Sequence, residues 1–269
     1  MDKLDIKLWK LAARGQIVPK RSLLKTPRQI EAIKKSAALN TAVLDHVASH
    51  IREGMSTEEI DRLVYDFTTE HGGIPAPLNY DGFPKSVCTS LNNVICHGIP
   101  NEYEILQEGD ILNVDVSTIL DGYYSDASRM FTIGNISPEA ARLVRVTQEC
   151  VDLGLKAAKP WGHLGDIAYA INTHAKKHGY SVVEDIGGHG IGLDFHEEPF
   201  VSYVTPKGSE MVLVPGMMFT IEPMVNEGSP DFFVDEDDDW TVYTIDDGLS
   251  AQVEYMVLVT ETGVEVLSK

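Results

Sequence analysis

Cysteine is scarce in this 269-residue chain. Cys88, Cys96 and Cys150 form an odd set without CxxC spacing, which excludes a disulfide framework and a structural zinc knuckle and fits a reducing cytoplasm. Basic residues are also few. The 22 Lys and Arg stand against 41 Asp and Glu, a formal charge of -19, so the chain lacks the clustered cations with which a DNA-binding surface neutralises phosphate. No apolar run approaches the roughly 18 residues of a membrane helix, and no uninterrupted apolar stretch near the N-terminus suggests a signal peptide. A cytoplasmic protein with neither DNA nor membrane as partner is expected. Several catalytic signatures are missing as well: there is no HExxH, no GxSxG elbow and no glycine-lysine phosphate loop, and Gly188-His189-Gly190-Ile191-Gly192 does not match GxGxxG.

What is present is an ordinary apolar content of 43%, enough for one large domain or two halves sharing a core. Leu4, Leu8, Leu11 and Ala12 mark one face of a short amphipathic helix within residues 3–14, with Trp9 beside it and Gly15 as a stop. A basic, proline-containing connector leads from Gln16 to Lys25. Thr26-Pro27-Arg28-Gln29 then combines an N-cap, a proline at the first helical position and a capping-box Gln, predicting a long helix to Gly54. A second capping box, Ser56 with Glu59, predicts its antiparallel partner, ending at Gly72-Gly73. Residues 75–100 turn extended, with Ser86–Ser90 and Asn93–His97 expected as a hairpin across Leu91-Asn92. Two strands follow, separated by the turn Leu120-Asp121-Gly122. Ser137-Pro138-Glu139 opens another helix to about Ala158, and a further helix runs to His178. The five acids Asp235–Asp239 lack the alternation and glycine of an EF-hand and are expected as a solvated hairpin tip.

Two stretches organise this pattern. Gly109–Asp115 and Gly216–Glu222 each read as a glycine, a mostly apolar strand and an acid six positions on. Each is followed by a second acid in a strand-like context, Asp126 and Glu254, and His189 lies between the copies among glycines. Helix pair, strands and acids occur twice, which predicts two similar halves divided near Asn135 and facing each other across one site. Four converging carboxylates repel one another unless cations intervene. Two divalent ions roughly 3.5–4 Å apart remove that conflict and supply an activated water near neutral pH. The donor set admits Mn, Fe, Co or Zn without choosing among them.

The stretches Tyr80 to Pro100, Asn113 to Phe131, Gly188 to Pro199, Phe219 to Asn226 and Leu249 to Thr260 resemble type I methionine aminopeptidases, which remove the initiator methionine from new proteins. The match runs from about Thr26 to the C-terminus. It implies an α+β pita-bread fold, a pseudo-two-fold curved antiparallel sheet with two pairs of outer helices. Residues 1–25 then form an extension, and residues 26–269 a single catalytic domain of two halves, about 26–135 and 136–269. By motif, the resemblance makes Asp115 a ligand of one ion and Asp126 and Glu254 ligands shared by two, with His189 and Glu222 completing the other shell. Glu222 would also shuttle a proton, His97 would assist at the scissile amide, and His196 would stabilise the oxyanion. Tyr80, Phe83, Cys88, Phe195 and Trp240 would line the methionine pocket, a setting suited to a flexible thioether. Cys88 as an inert core thiol is the alternative. Implied partners are nascent chains and peptides bearing N-terminal Met before a small residue, with transient ribosome contact; a monomer is expected.

Three departures accompany the resemblance. Pro77 stands where bacterial relatives often have Cys, residues 1–25 precede the usual start of the fold, and the acidic run before Trp240 is unusual for an enzyme that meets ribosomes. The short interval from His189 to Glu222 leaves no room for the helical insertion of type II relatives. Prolidases and aminopeptidase P share the fold but generally carry a sizeable N-terminal domain, where about 25 residues precede the match here. A non-catalytic binding protein on the same scaffold is the third reading. Such proteins tend to lose metal ligands, and all five are present.

Overall fold

The computed structural model describes residues 2–269. Local capping sets the helix starts. Asp2 and Asp5 exchange side-chain and backbone hydrogen bonds at the start of α1 (Lys3–Ala12). Thr26 and Gln29 do the same for α2 (Pro27–His50), and Ser56 and Glu59 for α3 (Thr57–Glu70), each box satisfying two otherwise orphaned amides. The Ser137 hydroxyl accepts from the Ala140 N–H to open α4 (Pro138–Ala157), and α5 (Leu164–Lys177) follows the Pro160-Trp161-Gly162 break. The five α-helices of the described residues fall within the segments expected to be helical.

The main sheet has nine strands, and every pairing in it is antiparallel. Its centre is built from two acid-bearing pairs. Ile111–Leu120 and Tyr123–Thr132 form a hairpin whose turn residues Asp121 and Gly122 have φ of 52° and 80°, the left-handed values of a type I′ turn. Met218–Ile221 pairs with Glu254–Val259, and the two pairs join where Glu254 lies opposite Ser128 and Tyr255 opposite Ala127. One pair comes from each half of the chain, so this seam carries the two-half arrangement. Leu44 and Val47 of α2 and Ile60 and Val64 of α3 pack with Leu112, Val114 and Val116 of the first pair. Leu143 and Val146 of α4 and Ile167 and Ile171 of α5 pack with Phe219, Ile221 and Val257 of the second. The result is the expected α+β layering, a curved sheet with a helix pair covering each half.

The segment 86–97 differs from expectation. Cys88–Leu91 pairs with Ile111–Leu120, whereas Val94–Cys96 pairs with Val242–Thr244. The chain does reverse at Asn92, φ 51°, but no mutual ladder forms between the two segments, because each finds a partner from elsewhere in the chain. The acidic run sits at the turn between Phe232–Val234 and Val242–Thr244, the solvated hairpin tip that its charge predicts. Near the N-terminus, Leu8 is buried in the core shared with α4 and α5, while Trp9 is exposed. The connector is pinned in two places, where Ile17 C=O accepts from the Val212 N–H and the Lys25 N–H donates to Gly216 C=O.

Candidate metal centre

Side chains alternate across a strand, so the registers above decide which groups share a face. Ser117 lies opposite Asp126, and Asp115 opposite Ser128, itself paired across the seam with Glu254. Asp115, Asp126 and Glu254 therefore project from one face of three neighbouring strands. Glu222 directly follows the Met218–Ile221 strand, next to the Ile221–Tyr255 pairing, and enters from the second half. His189 lies on the short Gly188–Gly190 strand, one residue before the pairing of Gly190 with Phe219. Gly190 is required there, since a Cβ would stand 2.1 Å from the Glu198 carbonyl oxygen.

These registers bring the five predicted ligands together. One ligand atom each of Asp126, His189 and Glu254 falls within 4.8 Å of the other two. His189 Nε2 is 3.8 Å from Asp126 Oδ2 and 3.7 Å from Glu222 Oε1. His189 Nδ1 lies 3.0 Å from the Gly190 carbonyl, so the proton assigned to Nδ1 leaves Nε2 with a lone pair toward the acids. Backbone and hydroxyl groups hold the remaining orientations. The Thr220 hydroxyl accepts from the His189 N–H at 3.0 Å and donates to Glu222 Oε1 at 2.6 Å, and Gln252 Nε2 donates to Glu222 Oε2 at 3.1 Å. Ser117 Oγ donates to Asp126 Oδ1 at 2.8 Å. The Glu222 N–H donates to the Tyr203 hydroxyl at 2.7 Å.

Electrostatics tests whether cations belong here. Asp126, Glu222 and Glu254 are 4%, 7% and 1% exposed. Burial lifts Asp126 and Glu254 well above the usual carboxylate range, with neighbouring acids adding to it. Burial also lifts Asp115 to about 6 and Glu222 to about 8. Asp115 Oδ1 and Glu254 Oε1 are buried without a hydrogen-bond partner. Carboxyl oxygens that face one another, two of them orphaned, and that burial makes costly to ionise are the environment that a divalent cation satisfies. Carboxylate and imidazole donors suit Mn, Fe, Co and Zn.

One consequence is a pH dependence of the metal-free chain. For Glu222 the folded value of about 8 exceeds the unfolded one, so its contribution to stability is present in acid and lost as pH rises through about 8. Asp115 acts in the same sense up to about 6. Burial lowers His97 to about 4 and His189 to about 3, which opposes the trend only below the ordinary histidine range. In chelator the Tm is therefore expected to fall between pH 6.5 and 8.5, and the Tm gain on adding Mn2+ to widen over the same interval. Scanning calorimetry at four pH values reads both.

A cavity of about 520 Å³ opens onto these groups. All twelve residues expected to bind metal, substrate or both line it, as does Pro77. Phe83 meets Trp240 edge-on at 5.2 Å between ring centroids, and Tyr80 meets Phe195 edge-on at 4.9 Å. Phe83, Phe195 and Cys88 are buried, and Cys88 lies opposite Asp115 in the sheet. His97 is half-buried 6.1 Å from Trp240, in a left-handed conformation, φ 58°. Gly98 makes that placement workable, because a Cβ there would stand 2.1 Å from the Thr89 carbonyl oxygen. His196 is exposed at the mouth, stacked on Phe195 at 4.3 Å, with Nδ1 2.9 Å from the Tyr80 hydroxyl.

Sequence reasoning missed part of the support. Lys25 is 5% exposed although it comes from the connector, and its ammonium pairs with Glu197. Glu197 Oε1 accepts from the N–H groups of Leu193 and Asp194 at 2.7 and 3.2 Å, tying down the turn that carries Phe195 and His196. Glu197 lay in a motif already singled out, but nothing in the sequence pairs it with a lysine 172 positions earlier. Tyr203 and Thr220 likewise carried no signal beyond strand propensity.

A carboxylate-rich cation site at the seam of a curved α+β sheet, opening into an aromatic pocket, defines a metal-dependent hydrolase scaffold. Residues 31–261 match the model for metallopeptidase family M24. The chain belongs to metallopeptidase family M24. It is 50% identical over 241 residues to methionine aminopeptidase A of a Synechocystis species, covering 90% of this chain and 95% of the relative. The crystal structure of methionine aminopeptidase from Rickettsia prowazekii superposes with a TM-score of 0.89 at 43% identity, covering 91% of this chain and 99% of that one. A prolidase from Pyrococcus furiosus, 23% identical with a TM-score of 0.73 over 92% of this chain and 65% of that one, shares the fold.

Proposed function

We propose that this chain removes the N-terminal methionine from nascent proteins and peptides whose second residue is small. The observation that carries the reading is the aromatic pocket of Phe83, Trp240, Tyr80 and Phe195 opening directly onto the carboxylate cluster. The likeness over nine-tenths of the chain to an enzyme named for that activity supports it. A thioether side chain fits a soft, apolar wall that includes the buried Cys88 thiol.

Asp115, Asp126, His189, Glu222 and Glu254 hold two divalent ions drawn from Co, Mn, Fe or Zn. When bound, these supply Lewis acidity and a water acidic enough to act near neutral pH. The protein does the rest. Thr220 and Gln252 fix both oxygens of Glu222, which takes and returns the proton of the attacking water. His97, kept neutral by burial, hydrogen-bonds the scissile amide. His196, oriented by Tyr80, donates to the oxyanion. Residues 26–269 form the catalytic unit, and Leu4, Leu8 and Leu11 of the preceding extension pack against its second half.

The test is turnover of Met-Ala-Ser with Mn2+, Fe2+ or Co2+ beside an X-Pro dipeptide. Release of Met from the tripeptide with the dipeptide intact is expected. Cleavage of the dipeptide alone would move the chain to prolidase chemistry, and no turnover with any metal would reject a catalytic role.

A further inference from the structure

A second group of metal-binding side chain types lies on the outer helices, and none of its members lines the central cavity. His174 and His178 stand one turn apart at the end of α5, so their imidazoles share a face. Glu149 reaches them from the middle of α4. One ligand atom from each residue lies within 4.8 Å of the other two, and the imidazole centroids are 4.6 Å apart. All three side chains are half-buried. We propose that Glu149, His174 and His178 bind one zinc-like divalent transition-metal ion, bridging α4 to α5.

Four features carry this. First, the donors are already close to the spacing of a tetrahedral site, in which ligand atoms about 2.0–2.2 Å from the ion sit about 3.3 Å apart. His174 Nε2 is 2.8 Å from Glu149 Oε2, so small ring rotations open the space. Second, the ion replaces the hydrogen bond between that nitrogen and that oxygen: with the single proton of the neutral ring on Nδ1, the Nε2 lone pair and the carboxylate oxygen both face the ion. Third, Arg145 Nη1 holds the other oxygen, Glu149 Oε1, at 2.9 Å, which fixes the carboxylate without using the oxygen the ion needs. Fourth, the site lies in the last turn of α5, where the helix dipole favours a cation. The Arg145 charge opposes the ion, and so do those of Lys177 and Arg142, which donates to the His178 carbonyl at 2.8 Å. The site is accordingly weaker than a buried structural zinc site, with solvent completing the shell.

Two imidazoles and a single carboxylate select Zn, Co, Ni or Cu over Mn, whereas the carboxylate-rich central site accepts Mn. That difference separates the two sites by experiment. Full-length protein and its His174→Ala/His178→Ala variant are dialysed against excess Zn2+, desalted and analysed for metal; a parallel set uses Mn2+. The wild type is expected to retain one more zinc per chain than the variant and the same manganese, and Zn2+ to raise its Tm by a few degrees more. Far-ultraviolet dichroism checks the fold of the variant, and Glu149→Gln read in the same way serves if the double variant misfolds. Equal zinc contents, or a deficit that appears equally with manganese, would overturn the site. Neither result depends on which peptide the enzyme cleaves.

Discussion

Asp126→Ala is expected to lose about 10³-fold or more in kcat/KM on Met-Ala-Ser. Asp126 is buried at the junction of the two halves, within reach of His189 and Glu254. Losing the cation that it helps hold removes several kcal/mol of transition-state stabilisation, and about 4 kcal/mol corresponds to about 10³ in rate. Stability is expected to respond in the opposite way. Burial and the neighbouring acids already push Asp126 far above the usual carboxylate range, so without metal its removal relieves repulsion and costs little more than the Ser117 hydrogen bond. In chelator the variant should melt within a few degrees of wild type, and the Tm gain from Mn2+ should shrink. Full retained activity would contradict the assignment, whereas a collapse of stability in chelator would mean that Asp126 is structural.

Lys25→Met tests the support behind the pocket. A buried ion pair that loses one partner leaves the other charge stranded, at a cost of about 3–5 kcal/mol. For a domain of this size that is a drop of about 10 °C in Tm. Glu197 is the stranded partner, and its Oε1 anchors the Leu193 and Asp194 amides just before Phe195 and His196. Turnover should therefore fall together with stability. The double variant Lys25→Met/Glu197→Met separates the two effects. Removing both charges should recover most of the Tm, because two apolar side chains replace a buried pair at little cost. The turn has then lost its anchor, so KM for Met-Ala-Ser should stay raised. A double variant with wild-type KM would show that the pair stabilises the fold without positioning the pocket.

Local chemistry was the readable part of this fold. Thr26, Ser56 and Ser137 each announce a helix because caps act within three or four residues, and Asp121-Gly122 announces a turn because few residues tolerate its left-handed φ. The acids were readable for a different reason. A carboxylate closing an apolar strand is costly enough to need an explanation, and its recurrence in Asp115 and Glu222, then Asp126 and Glu254, pointed to one shared site. Pairing between distant segments was not readable. Strand alternation says which face a residue occupies but not which strand lies beside it, so Cys88–Leu91 and Val94–Cys96 looked like partners when each belongs to a different sheet. Lys25 and Glu197 failed for the same reason, since a contact across 172 positions leaves no trace in a single sequence. The pocket residues drew attention through resemblance alone, because Tyr80, Phe83 and Trp240 have no local pattern that distinguishes a substrate wall from ordinary core.

The most direct test of shared counterions at the seam is an anomalous-scattering map of crystals grown with Mn2+. Two peaks are expected, enclosed between Asp115, Asp126, His189, Glu222 and Glu254. A map without peaks there, or one in which Asp115 and Glu254 turn away from each other toward different surroundings, would contradict the account.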